Sequence, residues 1–156
     1  MSLAGNPSLI KSIRSLFRKK EQAPSSASVQ PEGRQRALAL PPEEFRRIDA
    51  AFERWVQEKG YRMPDVTIKE TASRMGCKGA QLHRYCIQKM GVDFRTWRVR
   101  QRIEDAKVLL LQEPDTSASH IGRMVGIQDR SNFLRQFERL TGLSPEQWRQ
   151  NELASR

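Results

Sequence analysis

The sequence has little of what most enzymes and metal sites need. Its 156 residues include only two histidines and two cysteines, Cys77 and Cys86. The spacing of these cysteines matches no zinc-binding signature, and two cysteines cannot build a disulfide framework. Neither a phosphate-binding glycine loop nor a nucleophile motif is present. These absences argue against an enzyme, a bound metal and a cofactor. They favour free thiols with a structural role in a reducing compartment.

Acidic residues are scarce relative to basic ones. Lys and Arg total 28 against 18 Asp and Glu, which gives a formal net charge of +10. Such an excess predicts a polyanionic partner, which can be nucleic acid or an anionic membrane surface. No apolar run approaches the length of a membrane span. Charge alone does not separate the two partners, so the arrangement of helices has to decide between them.

The N-terminal part differs in composition from the rest of the chain. Residues 1–20 include SLIKSIRSLFRKK, in which apolar residues recur at helical spacing between Lys and Arg. This pattern predicts a basic amphipathic segment. Residues 21–42 are rich in Ala, Ser, Gln and Pro and predict a flexible linker. Because a basic cluster ahead of a linker suits the cytoplasmic end of a membrane span, residues 1–20 are a candidate juxtamembrane segment.

Residues 43–149 have the pattern of an all-α domain. Apolar residues recur every three or four positions, and convincing strand alternation is absent. Helix-start signals occur at Pro42, at residues 67–70, at Ser117, at Asp129 and at Ser144 with Pro145. Gly60, Gly76 and Gly126 predict helix ends. Residues 150–156 are expected to form a C-terminal tail.

An internal repeat is the clearest feature of this helical part. Residues 67–76 align with residues 117–126, and a small residue, Ala72 or Gly122, occupies the same place in both. With an offset one residue larger, Trp97 aligns with Trp148. A helix with a small residue, a glycine turn and a second helix form a helix-turn-helix, because the two helices cross closely. Two such units are predicted, at about 67–91 and 117–142, with a long helix at about 94–111 between them.

The chain from residue 43 to residue 149 resembles the DNA-binding domain of the AraC/XylS family of bacterial transcription regulators. The resemblance rests on RIEDAKVLL at residues 102–110, on residues 117–126 and on SNFLRQFERLTGLSPEQWR at residues 131–149. It implies two homeodomain-like helical bundles joined by a long central helix, which read successive major-groove segments. Arg98 and Gln101 stand where the family usually has aliphatic residues, which predicts looser packing of the central helix.

The residues expected to contact DNA lie on the outward faces of the second helix of each unit. The resemblance places base and backbone contacts at Ala80, Gln81, His83, Arg84, Gln128, Arg130, Ser131 and Arg135. Arginine can bind guanine as a fork, and glutamine can pair with adenine. Arg84 and Arg135 rank first because they share one repeat position. The arginines of the central helix are either phosphate contacts or solvated charges: Arg95, Arg98, Arg100 and Arg102.

The function that these observations favour is a sequence-specific DNA-binding transcription regulator. Its expected partner is double-stranded DNA, and RNA polymerase is a further candidate. The expected location is the cytoplasm, where the chain could also be the cytoplasmic domain of a membrane protein. The alternative is a membrane-surface or protein-interaction module in which residues 1–20 carry the main activity.

Overall fold

The computed structural model describes residues 39–155, in which every regular element is helical. The predicted all-α class is therefore confirmed, whereas residues 1–20 and most of the predicted linker lie outside the described residues. In chain order the elements are α1 (Pro42–Gln57), a 3-10 turn (Gly60–Arg62), α2 (Ile68–Arg74), α3 (Gly79–Met90), α4 (Phe94–Gln112), α5 (Ala118–Met124), α6 (Arg130–Thr141) and α7 (Pro145–Ala154).

Helices α2 and α6 begin at the predicted capping residues. The Thr67 hydroxyl accepts a hydrogen bond from the backbone N–H of Glu70 at 3.2 Å, and the Glu70 carboxylate accepts one from the Thr67 N–H at 2.8 Å. The Asp129 carboxylate caps α6 by accepting from the Asn132 N–H at 2.6 Å. These local bonds satisfy N–H groups that a helix start leaves unpaired, so the starts of α2 and α6 are defined by sequence.

The central helix α4 contributes to two separate cores. Its N-terminal half buries Phe94 and Trp97 in a cluster that α1, α2 and α3 complete. Its C-terminal half buries Ile103, Ala106 and Leu110 in a second cluster with α5 and α6. The domain is thus built as two helical bundles on one shared helix.

The two cores differ in their aromatic content. In the first core the rings of Phe52 and Trp97 lie 4.7 Å apart, and Trp55 is also buried there. The second core contains Phe137, whose ring centroid lies 6.0 Å from that of the partly buried Trp148. All three tryptophans pack against a core, and none forms an exposed stacking platform.

The folded part extends beyond the predicted limits at both ends. Leu40 is buried in the first core, and its backbone N–H donates to the Gln88 side chain at 3.1 Å, so ordered packing begins before residue 43. Helix α7 continues to Ala154, where a tail was predicted. Leu140 follows Phe133 and Phe137 at helical spacing on α6 but is 38% exposed, because it lies in the last turn, past the phenylalanines that fill the core.

Gly60 has a different role from the predicted one. Lys59 adopts the left-handed conformation after α1, with φ 55°, and Gly60 begins the 3-10 turn. A Cβ atom on Gly60 would lie 2.1 Å from the indole nitrogen of Trp55. Gly60 is therefore needed because the Trp55 ring packs directly on its backbone.

Both cysteines are free thiols, and their surroundings differ. Cys86 is fully buried in the first core, whereas Cys77 is partly buried. Burial raises the pKa of the Cys86 thiol to about 12 and also raises the pKa of Cys77. Since thiolates are the reactive form, the structural role predicted for Cys86 is confirmed.

Candidate nucleic-acid interface

The two predicted helix-turn-helix units have matching backbones. The first unit consists of α2 and α3 and the second of α5 and α6, with helices of 7 and 12 residues in each case. Gly76 and Gly126 occupy equivalent turn positions with φ of 70° and 88°. The backbone N–H of the residue after each glycine donates to the carbonyl oxygen of the small residue in the first helix, at 2.9 Å in the first unit and 2.8 Å in the second. The additional residue of the second unit falls in its turn, as the alignment predicts.

The small residue inside each first helix allows the two helices to cross closely. Ala72 is fully buried in the first unit. In the second unit a Cβ atom on Gly122 would lie 2.8 Å from Cγ of Phe133, which is too close for an unchanged backbone. The equivalent of Phe133 in the first unit is the smaller Leu82. The larger ring in the second unit therefore leaves room only for glycine.

Seven of the eight predicted contact residues are exposed on the recognition helices α3 and α6 or in the turn before α6: Ala80, His83, Arg84, Gln128, Arg130, Ser131 and Arg135. The opposite faces of these helices bury Leu82, Cys86, Phe133 and Phe137. Among the ion pairs of residues 39–155 none involves Arg84 or Arg130. Their guanidinium groups are thus placed to meet an external acceptor.

Gln81 is the exception among the predicted contact residues. It is half-buried, and its amide oxygen accepts from the Lys78 backbone N–H at 2.6 Å. Its amide nitrogen donates to the carboxylate of Glu44 on α1. The expectation that Gln81 faces outward needs correction, because both ends of its amide are already used inside the domain.

Asn132 orients Arg135 on the surface of α6. The Asn132 side-chain oxygen accepts from Nη2 of Arg135 at 3.1 Å and from the Gln136 amide nitrogen at 2.7 Å. This shared acceptor restrains one edge of the Arg135 guanidinium while the side chain stays exposed. Asn132 is not among the predicted contact residues, although its spacing of three residues from Arg135 places both on one helix face.

A basic cleft lies between the start of α4 and the recognition helix α6. It has a volume of about 280 Å³ and is lined by Arg95, Thr96, Val99, Asn132, Arg135, Gln136 and Arg139. The buried Oε1 atom of Gln136 has no hydrogen-bond partner among residues 39–155. Three arginines around a polar cleft beside a recognition helix suit a phosphate group. Of these three, Arg139 had not been identified from the sequence.

Arg98 and Arg102 on α4 serve inside the domain. Arg98 donates to the carbonyl oxygens of Tyr61 at 3.0 Å, Val66 at 2.6 Å and Met63. Arg102 donates to those of Tyr61 at 2.7 Å and Met63 at 2.8 Å. Burial lowers the pKa of both, that of Arg102 to about 10. The expectation that these arginines are phosphate contacts or solvated charges is wrong, because both side chains bind loop carbonyls. The expectation of looser packing at Arg98 is wrong for the same reason.

Comparison with known proteins agrees with this geometry. Residues 71–151 match a family model described as a helix-turn-helix domain. Over 82 residues the chain is 34% identical to the arabinose operon regulatory proteins of Escherichia coli (strain K12) and Salmonella typhimurium (strain LT2). This segment is 53% of the chain but only 28% and 29% of those two relatives, so the chain spans less than a third of their length.

A solved structure with the same fold is the C-terminal domain of AraT, a response regulator from Geobacillus stearothermophilus. It is 25% identical with a TM-score of 0.59, and the match covers 72% of this chain and 87% of that one. No helix within residues 39–155 combines the length and apolar character needed to cross a membrane. The comparisons give no support to a membrane-surface module. Since the matched residues 71–151 make up half of the sequence, the chain belongs to the AraC/XylS type of helix-turn-helix family, whose members are DNA-binding transcription regulators.

Proposed function

We propose that this domain binds double-stranded DNA sequence-specifically by placing α3 and α6 in successive segments of the major groove. The observation that supports this is the repeated helix-turn-helix with exposed Arg84 and Arg135 at equivalent positions. The major groove is about 12 Å wide and admits one α-helix. Two such helices reach the same face of a duplex when they lie roughly 34 Å apart.

The exposed residues divide into base readers and phosphate contacts in this proposal. Arg84 and Arg135 would each bind O6 and N7 of a guanine as a fork. The other base and backbone contacts are Ala80, His83, Gln128, Arg130 and Ser131. Gln81 supports α3 rather than reading a base, because its amide is bonded to Lys78 and Glu44. Arg95 and Arg139 would hold a backbone phosphate over the basic cleft.

Regulation of transcription makes RNA polymerase a further proposed partner. The bacterial cytoplasm is the proposed site of action, since the chromosome is there.

Selection from a random DNA pool tests the proposed function. We expect an asymmetric enriched site, because the two recognition helices expose different side chains. On that site Arg135→Ala should cost ~1–3 kcal/mol of binding free energy and relax the preference at one position. Arg95→Ala should weaken binding to all sequences alike and reduce the salt slope by about 1.

Arg54→Ala is the matched control for loss of one positive charge, since Arg54 is exposed on α1, which belongs to neither recognition helix nor cleft. It should change neither the base preference nor the salt slope. The proposal fails if no motif is enriched from the pool. The assignment of α6 fails if Arg135→Ala and Arg95→Ala have the same effect on every sequence.

A further inference from the structure

A cluster of polar side chains joins the 3-10 turn to the central helix. The Asp105 carboxylate on α4 accepts from the Tyr61 hydroxyl at 2.7 Å and pairs with Nε of Arg62 at 2.5 Å. Arg102, one turn earlier on α4, donates to the carbonyls of Tyr61 and Met63. Burial and the bond to Asp105 raise the pKa of Tyr61, so its hydroxyl keeps the donated proton. We call Tyr61, Arg62, Arg102 and Asp105 the seam.

The turn of the second unit rests directly on the seam. A Cβ atom on Gly126 would lie 1.8 Å from the carbonyl oxygen of Arg62 and 3.1 Å from Nη2 of Arg102. At the equivalent position of the first unit, a Cβ on Gly76 would meet nothing within 4 Å. The close contact at Gly126 is therefore not a requirement of the helix-turn-helix turn. It belongs to the junction between the two bundles.

The seam is distinct from a contact that each bundle makes for itself. Arg98 donates to the Val66 carbonyl at 2.6 Å, and its repeat equivalent Arg149 donates to the Thr116 carbonyl at 2.7 Å. Each carbonyl directly precedes the capping residue of the first helix of its unit, so each arginine closes its own bundle. The repeat equivalent of Arg102 is Leu153, which is 44% exposed. Leucine at this repeat position cannot bind carbonyls, so the bonds that Arg102 makes to the loop are not part of the repeated pattern.

In addition to the shared helix α4, the seam connects the loop of the first bundle to the turn of the second unit. The two buried clusters have no residue in common. A single helix linking two bundles can bend and twist, whereas a second set of charge-assisted hydrogen bonds restrains both motions. Lys59 and Asp65, near the two ends of the bonded loop, both have φ of 55°. Non-glycine residues keep this conformation only where surrounding contacts hold it.

We propose that the seam fixes the orientation of the two recognition helices, so that the protein reads its two half-sites at a single spacing. Arg102 and Asp105 are then positioning residues that determine specificity without touching DNA. This inference rests on the proposed function. Each inserted base pair moves one half-site by about 3.4 Å along the axis and by about 35° around it. A rigid pair of helices cannot follow such a shift, whereas a loosely joined pair can.

Binding to a series of DNA sites tests the inference. The selected site is altered by inserting or deleting one base pair between its two halves. Wild type should lose at least about tenfold in affinity, since one unit then leaves its register. Arg102→Met and Asp105→Asn should lose less than about threefold while keeping the base preferences within each half. Asp105→Asn keeps the side-chain volume and carries the test if Arg102→Met does not fold.

Arg149→Met is the matched control, because it removes a carbonyl-binding arginine that closes only the second bundle. It should reduce stability but leave the wild-type penalty for a changed spacing. The inference is overturned if both seam variants retain the full wild-type penalty. It is also overturned if Arg149→Met relaxes the spacing as much as the seam variants do.

A distance measurement without DNA separates this inference from the proposed function. Spin labels are attached to Ile87→Cys on α3 and Glu138→Cys on α6 in a Cys77→Ser background, since both positions are exposed. Pulsed electron paramagnetic resonance should give a narrow distribution of label-to-label distances in the otherwise unaltered chain. The distribution should be broader in the seam variants. A broad distribution without seam substitutions overturns the inference. If the DNA pool yields no motif, the proposed function fails, while these distributions still decide whether the seam fixes the bundles.

Discussion

The 16-residue helix α1 packs on the first helix-turn-helix unit, whereas the 10-residue helix α7 packs on the second. Helix α1 covers the first unit: the Tyr85 hydroxyl on α3 donates to Asp49 at 2.5 Å, and Lys89 pairs with Asp49 and with Glu53 at 3.2 Å. Within residues 39–155 the second unit packs against α4 and α7, where Trp148 covers Phe137. The first unit therefore commits more of its recognition helix to holding that helix in place.

This difference suggests that the two recognition helices contribute differently to stability and to sequence preference. On α3 the bonds to α1 occupy Gln81, Tyr85 and Lys89, whereas His83 and Arg84 are exposed and are the proposed base contacts. On α6 the exposed Arg130, Ser131 and Arg135 adjoin a basic cleft. We therefore expect α6 to supply more of the sequence preference and the first unit to supply more of the stability.

The largest expected effect concerns the smaller core of the second unit. Phe137 is fully buried, so Phe137→Ala should lower the free energy of unfolding by ~3–5 kcal/mol. Leu140→Ala, on the same helix but 38% exposed, should change it by no more than about 0.5 kcal/mol. Urea unfolding of both variants measures the contrast. Equal midpoints would show that the second core does not depend on Phe137.

The two glycine turns provide the next test, because they differ only in their surroundings. Gly76→Ala should cost about 1–2 kcal/mol, the strain of a left-handed alanine, since its Cβ meets no neighbour. Gly126→Ala should cost roughly 2–5 kcal/mol, since its Cβ would also collide with the Arg62 carbonyl. Thermal unfolding measures both costs. Equal losses would mean that the turn of the second unit can move away from the seam without penalty.

The smallest expected effect separates support from reading on α3. Gln81→Ala should lower stability by ~0.5–2 kcal/mol through loss of its bond to the start of α3. It should leave the selected DNA motif unchanged. Arg84→Ala should do the reverse, with stability within about 0.5 kcal/mol of wild type and a weaker preference at one base. A motif altered by Gln81→Ala would restore that residue as a base reader.

The features that sequence predicts well here are set by neighbours along the chain. The residues of each capping pair, Thr67 with Glu70 and Asp129 with Asn132, are three positions apart. The turns at Gly76 and Gly126 are predictable because glycine adopts positive φ readily. The repeat then confirms each signal by its second copy. One of the two bonds of Gln81 was also predictable, because Gln81 and its partner Lys78 are three positions apart.

The features that sequence could not predict depend on distant partners. Arg98 bonds to carbonyls 32, 35 and 37 residues away, and Arg102 to carbonyls 39 and 41 residues away. Backbone carbonyls carry no residue signature, so neither arginine could be distinguished from a solvated charge. The bond from Gln81 to Glu44, 37 residues away, was hidden for the same reason.

The placement of the tryptophans gives the two bundles separate optical signals. Trp55 and Trp97 lie 6.2 Å apart in the first core, whereas Trp148 is the tryptophan packed against the second. In Trp148→Phe, tryptophan emission therefore reports on the first bundle alone, and in a variant that retains only Trp148 it reports on the second. Comparison of the two melting curves distinguishes a domain that unfolds as one cooperative unit from one whose bundles come apart in sequence.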